Sequence, residues 1–271
     1  MRKFNMILLV VGLVITLVGM TGAFYYSKVD NKYQEQEVKV SRSFDAQRIK
    51  KIDMDLKNVK LQIVAGDTFK LEGRGESKQP KITTEGDTLK LQLEGTENPQ
   101  ATVNVNPFHI KMNTQYKLTV PQSDISRLNI NSDWSAVDVD RVVAKEMVVQ
   151  MQKGAFDMER SQIGSFDGHM QYGSFDVENT TFEKVAMTNR EGSTVFDGVP
   201  ADIPMTLNNQ LGTLDVSFAQ PLQNVSIESE NNNGYIDMED LINYAQIKDR
   251  DVASDPVIKI NNREGTVTLE D

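Results

Sequence analysis

The hydrophobic pattern of the chain consists of one unbroken apolar run followed by many short alternating ones. From Met6 to Tyr26 nearly every residue is apolar, and no charge occurs between Lys3 and Lys28. At about 1.5 Å of rise per residue, a helix of that length covers roughly 30 Å, the thickness of a bilayer core. Arg2 and Lys3 precede the run, and Phe24, Tyr25 and Tyr26 close it. Residues 6–26 therefore read as a single transmembrane helix, with residues 1–5 cytoplasmic by the positive-inside bias and everything beyond outside the cell. Thr21-Gly22-Ala23 also supplies the small-x-small pattern of a signal-peptidase site, so a cleaved signal peptide is the competing reading. Both readings export the rest of the chain. Residues 27–43, SKVDNKYQEQEVKVSRS, are polar without clear periodicity and read as a tether.

Beyond residue 44 apolar and polar residues alternate over a few positions at a time, the period-2 signature of half-buried β-strands. One phrase recurs through the second half: Ser135-Ala-Val-Asp138-Val, Gly154-Ala-Phe-Asp157-Met, Gly173-Ser-Phe-Asp176-Val, Gly212-Thr-Leu-Asp215-Val, Gly234-Tyr-Ile-Asp237-Met and Gly265-Thr-Val-Thr268-Leu, with a longer variant at Gly192. Gly154, Gly173, Gly192 and Gly212 are 19, 19 and 20 residues apart. A second strand-like piece lies between successive phrases, as in Glu146–Met151 and Lys184–Thr188. A fixed period near 20 predicts an all-β fold, a parallel β-solenoid with two short strands per coil, wound as a right-handed β-helix. Short alternating strands also fit a sandwich; the constant spacing favours the solenoid.

Alternation assigns the side chains to columns. Each apolar-Asp-apolar triplet buries its flanks and exposes its aspartate, which predicts one internal column of Val137, Phe156, Phe175, Phe196, Leu214, Ile236 and Val267. Val139, Met158, Val177, Val216, Met238 and Leu269 form the second. Gly154, Gly173, Gly192, Gly212, Gly234 and Gly265 are placed at the corners, where a side chain would strike the next coil. Residues 44–120 keep a different spacing. They supply a first coil at 49–64 and antiparallel excursions turning at Glu85-Gly86-Asp87, an N-terminal β region that caps the repeats of 121–271. Thr266, Val267, Thr268 and Leu269 are the last strand and read as an open edge on which a partner strand docks, guarded by Glu264, Glu270 and Asp271.

Charge and motifs narrow the chemistry. A formal charge of -10 argues against nucleic acid, which needs clustered lysine and arginine. The chain has no cysteine, and its two histidines, His109 and His169, lie far apart in sequence. Phosphate-binding glycine clusters and the G-x-S-x-G elbow do not occur. No catalytic residue is assigned, and the chain does not read as an enzyme. A carbohydrate-active β-helix enzyme is the remote alternative, because such enzymes display carboxylates on a solenoid face. Asp157/Glu159 and Asp176/Glu178 are outward acidic pairs that stacking brings to about 4.8 Å from each other. Calcium bridging these four residues is the one cofactor expectation; salt screening is the plainer account.

The apolar N-terminal span, the alternating strands, the Val120-Pro121 step before Ile125-Ser-Arg-Leu-Asn-Ile130, and the glycine-punctuated repeats together resemble a bacterial family of unknown function labelled "putative adhesin", common in Gram-positive bacteria. The resemblance covers roughly residues 44–271. It implies β-strand repeats behind a membrane anchor, no defining catalytic residue and, for some members, a link to cell-envelope stress signalling. The stretch from Gly234 to Gly265, 31 residues, departs from the simplest pattern. The expected function is binding at the cell envelope as an adhesion or scaffold module, with the membrane and an envelope protein or cell-wall glycan as partners. The alternative is the ectodomain of an envelope-stress sensor that acts through a membrane partner.

Overall fold

The computed structural model describes residues 37–76, 78–95, 114–122, 125–247 and 255–271. The span expected at 6–26 and His109 lie outside the described residues. Among the described residues no helix is long and apolar enough to cross a membrane. Short runs form the strands β1 (Glu37–Ser43), β2 (Lys51–Lys57), β3 (Lys60–Ala65), β4 (Lys70–Glu76), β5 (Lys81–Glu85), β6 (Thr88–Glu94) and β7 (Gln115–Val120), with alternate residues buried in β2, β3, β6 and β7. Three long strands follow, β8 (Ile125–Asp140), β9 (Val143–Glu159) and β10 (Gln162–Glu178). The rest are β11 (Thr181–Asn189), β12 (Ser193–Val199), β13 (Met205–Asn209), β14 (Thr213–Phe218), β15 (Ser226–Asn231), β16 (Tyr235–Asp237), β17 (Val257–Asn262) and β18 (Thr266–Glu270).

These strands wind into flattened coils with two faces around one core, as the 20-residue period predicts. On the first face the parallel order is β6, β2, then the leading halves of β8, β9 and β10, then β11, β13, β17 and β15. On the second face it is β7, β3, the trailing halves of β8, β9 and β10, then β12, β14, β18 and β16. The sequence suggested two separate strands in every coil. In β8, β9 and β10 both are one continuous strand that bends through the corner and serves both faces.

The coils do not stack in sequence order at either end. β6 and β7 lie outside β2 and β3, while β8 returns to the inner side of that first coil. At the other end β17 and β18 enter between the β13–β14 coil and the β15–β16 coil. Three expectations differ from the structure. The segment Thr266, Val267, Thr268 and Leu269 is no open edge, because β18 is hydrogen-bonded to β14 on one side and β16 on the other. The outer coil is β15–β16, and the long connection after Asp237 supplies the chain length for the return. Asp271 pins that return: its carboxylate accepts from the backbone N–H of Leu222 at 3.1 Å and of Ile242 at 3.0 Å. The expected cap at 44–120 contains two solenoid coils; the capping is done by β5, antiparallel to β6, and by β4 and β1, antiparallel beyond β7. β1 also takes the second part of the expected tether, since Glu37–Ser43 pairs with β4 along its whole length.

Stacking at fixed register puts like on like. Phe156 and Phe175 are fully buried and stack with ring centroids 4.4 Å apart and planes 18° from parallel. Phe166, Phe182 and Phe196 close around them at edge and tilted angles. Phe196 occupies the second internal column, opposite Val177 and Val216, and Thr194 takes the expected Phe196 position between Phe175 and Leu214. Gly192 stacks directly on Gly173, so the one extra residue of that repeat falls after the phenylalanine, at a register shift between Phe196 and Val199. Thr194 is fully buried, and its hydroxyl has no hydrogen-bond partner.

The corner before the second face carries a column of close backbone contacts. A Cβ on Gly154 would sit 2.0 Å from the Ser135 carbonyl oxygen, and one on Gly173 2.0 Å from that of Gly154. The same approach recurs at Gly192, Gly212, Gly265 and Gly234, which stack in that spatial order. Only Gly154 and Gly173 also hold a left-handed φ of 129°. From Gly192 onward the corner changes construction: an asparagine three residues before each glycine folds back onto it. Asn189 donates to the Gly192 carbonyl at 2.9 Å and to Asn209 Oδ1 at 2.9 Å; Asn209 donates to Asn262 at 3.1 Å, and Asn262 to Asn231 at 3.3 Å. This one-way amide ladder visits the coils in spatial rather than sequence order. Its signal, N-x-x-G four times, stands in the sequence, and the phrase-based reading passed over it.

At the opposite corner Arg141, Arg160 and Asn179 each take a left-handed φ, a conformation costly for non-glycine residues. Their N–H groups donate to the carbonyls of Glu159, Glu178 and Asp197 on the next coil, which holds them there. Beneath them Val142 N–H donates to Ser161 Oγ at 3.1 Å and Ser161 N–H to Thr180 Oγ1 at 3.3 Å. Gly154→Ala is expected to cost about 3 kcal/mol or more, from a left-handed φ combined with a backbone clash. Thermal unfolding of the variant against the parent checks it, and a loss of less than about 1 kcal/mol contradicts the close-packed corner.

Candidate functional site

Two surfaces hold the outward side chains that the sequence singled out or left unassigned. On the second face alternation turns every other residue of β8, β9 and β10 outward, and the register aligns Asp138, Asp157 and Asp176. A second outward row aligns Asp140, Glu159, Glu178 and Asp197. The acidic pairs thus stack as the sequence predicts.

The neighbours of this ladder are unequal. Lys60 on β3 caps its first rung, with Nζ 3.1 Å from Asp138. Arg160 grips Asp140 through Nε at 3.0 Å and a terminal nitrogen at 2.8 Å, and also reaches Glu159 at 3.0 Å. Arg141 adds a contact to Asp140 at 3.1 Å. Asp157 lies between two aspartates. Desolvation, then the charges of Asp176 and Asp138, push its pKa up to about 6, with Lys60 opposing and Glu159 adding to the rise. Asp176 is raised as well, by desolvation first and Glu178 second.

The expected calcium bridge over Asp157, Glu159, Asp176 and Glu178 is not built. Among the described residues no three carboxylates or histidines converge on a point where a metal ion would sit. Outward side chains alternate along each strand and repeat one rung apart, so the acids form a flat grid rather than a cup. Arg160 takes up part of the charge instead.

The first face carries a different surface. In register across β8 to β11 stand Asn131, Gln150, His169 and Thr188. Asn131 donates to Asp55 Oδ1 at 3.2 Å, and His169 Nε2 lies 3.1 Å from Asp167 Oδ1. Further along, Asn208 donates to Thr188 Oγ1 at 3.4 Å and Asn261 to Asn208 Oδ1 at 2.8 Å. At the corner beside this row lie Gln152, Gln171, Arg190 and Gln210; the bonds Glu191 N–H to Gln171 and Leu211 N–H to Arg190 stack the last three. The two rows bound an open groove of about 420 Å³ with Met151 and Met170 at its base. Of these residues the sequence reading singled out only His169, as one of two histidines far apart in the chain, and overlooked the rest. The signal was available: Asn131, Gln150, His169 and Thr188 recur every 19 residues.

The pH dependence of stability follows from Asp157. Its folded pKa lies above the unfolded value, so between about pH 4 and 6 the native state binds the extra proton. Stability therefore rises as pH falls through 6, and the electrostatic penalty is fully present above it. Melting temperature is expected to increase on acidification from pH 7.5 to 5.5. Asp157→Asn should raise it at pH 7.5 by roughly 2–4 °C and flatten the dependence. A variant that melts lower than the parent at pH 7.5 contradicts this assignment.

Two solved structures are similar to this chain over most of its length. One is a putative cell adhesion protein from Clostridium sporogenes ATCC 15579, 10% identical, covering 87% of this chain and 99% of that one, with a TM-score of 0.35. The other is a putative adhesin from Bacteroides fragilis NCTC 9343, 11% identical, covering 87% of this chain and 98% of that one, with a TM-score of 0.46. Among proteins of curated function none matches. The family model described as Toastrack DUF4097 matches residues 49–245, from the first coil to the helical turn that follows β16. The chain belongs to the Toastrack DUF4097 family.

Proposed function

We propose that this protein is a membrane-anchored, extracytoplasmic module that works by binding at the cell envelope, as an adhesion or scaffold element, rather than by catalysis. The observation that carries the reading is the pair of flat faces, each displaying in-register polar rows at a fixed rung spacing. Such a surface suits an extended partner contacted many times over, and its stiffness lowers the ordering cost of each contact. The N-terminal run of apolar residues after Arg2 and Lys3 supports the anchor and its orientation. Work as a stress-sensing ectodomain through a membrane partner is the alternative.

The absence of cysteine makes topology directly testable. Glu230→Cys, on the exposed outer strand β15, is expected to react with a membrane-impermeant maleimide in intact cells of a single-membrane bacterial host. Full-length protein in detergent is expected to co-sediment with purified envelopes of such cells. Labelling only after permeabilisation contradicts the exported topology. Failure to co-sediment contradicts binding.

A further inference from the structure

The groove on the first face differs from the rest of the molecule in chemistry. The whole chain carries a formal charge of -10, yet among the described residues no carboxylate lines this groove, although its corner row continues into Asp133 on β8. Its walls are amides, a threonine hydroxyl, an imidazole and the Arg190 guanidinium over a thioether base. The nearest acid along β10, Asp167, is held by His169.

We propose that this groove binds an extended, hydroxyl-rich glycan laid across the coils, parallel to the solenoid axis. The inference rests on the envelope-binding reading above and names the site and ligand class within it. Amide side chains both donate and accept, as sugar hydroxyls do, so repeated amides satisfy a polyol without a fixed charge. The repeat also matches: neighbouring rungs lie about 4.8 Å apart, close to the length of one sugar unit in an extended chain. From the β8 coil with Asn131 to the β13–β14 coil with Gln210 there are four rung steps, or about 19 Å, room for about four sugars.

Beside the groove, next to the residues that line it, the corner carries flat aromatic rings of the kind that sugar rings favour. One position beyond the Gln152 and Gln171 row stand Trp134, Lys153 and Tyr172, in register on successive coils. Trp134 is 46% exposed, an unusual placement for the one tryptophan of the chain. The Lys153 ammonium lies 5.9 Å from the Tyr172 ring centroid. Other ligand classes fit less well. A peptide cannot add here as a strand, because each strand beneath the groove is already paired on both sides. Nucleic acid meets a net negative protein.

The test uses full-length protein in detergent, titrated with cello- and chito-oligosaccharides of two to six units. At least one series is expected to bind saturably, with affinity rising steeply up to about four units and then levelling. The double variant Gln150→Ala/Gln171→Ala is expected to weaken binding at least tenfold, as is Trp134→Ala, with unchanged melting temperatures. Asp157→Asn, on the second face, should leave binding unaltered. Absence of binding to both series, affinity independent of chain length, or indifference to the groove variants overturns the proposal. Envelope co-sedimentation separates the two levels: a double variant retained as well as the parent overturns the groove alone, whereas no retention of the parent overturns the binding reading itself.

Discussion

The parallel backbone ladder, repeated at one rung spacing and in register from coil to coil, is the constraint on which everything else depends. Once β8, β9 and β10 pair residue for residue, each side chain meets its counterpart one rung away. For apolar and amide groups that is favourable: Phe156 stacks on Phe175, and Asn189, Asn209, Asn262 and Asn231 pass hydrogen bonds along a line. At the corner before the second face it forces glycine from Gly154 onward, since no Cβ fits between carbonyls that approach so closely. For carboxylates it is unfavourable: at Asp157 the charges of Asp176 and Asp138 add to desolvation, the larger cause, in raising the pKa. Order in the core and strain on the second face have one cause.

Periodic stacking also makes edges, and the two ends of this solenoid handle them alike. A coil wound in simple order leaves its terminal strands unpaired, a template for association. Here the terminal coil at each end is buried by one place, and a coil from further inside the sequence takes the outer position. The strand β18 becomes a central one, with Val267 and Leu269 fully buried. The outer strand that results, β15, is short and exposes Glu228 and Glu230, which discourages pairing with another chain.

Much of this was legible in the sequence, and the parts that were not share a physical reason. Alternation placed the strands of residues 49–120 closely, because burial of every second residue is a local property. The 19-residue spacing gave the coils, the corner glycines and most internal columns. Coil order was invisible, since inserting β17 and β18 between two earlier coils changes neither alternation nor spacing. Phe196 was misplaced by alignment to the aspartate instead of the glycine; the corner, where backbones nearly touch, tolerates no shift, while the outward Asp197 does. The second part of the tether was misread because Glu37–Ser43 alternates only weakly between charged and apolar residues, as an edge strand does. The acidic rows were found from their charge. The amide groove was missed because single glutamines carry no motif, and only their recurrence at the coil period gives them meaning.

Amide hydrogen exchange, followed residue by residue in the native protein, tests the inverted winding most directly. Paired on both sides, β18 should exchange as slowly as the central strands β9 and β10, although it ends the sequence. β15, paired on one side only, should exchange far sooner. Rapid exchange of β18 together with protection of β15 would contradict the account, for it would return the last strand to the open edge of a solenoid wound in simple order.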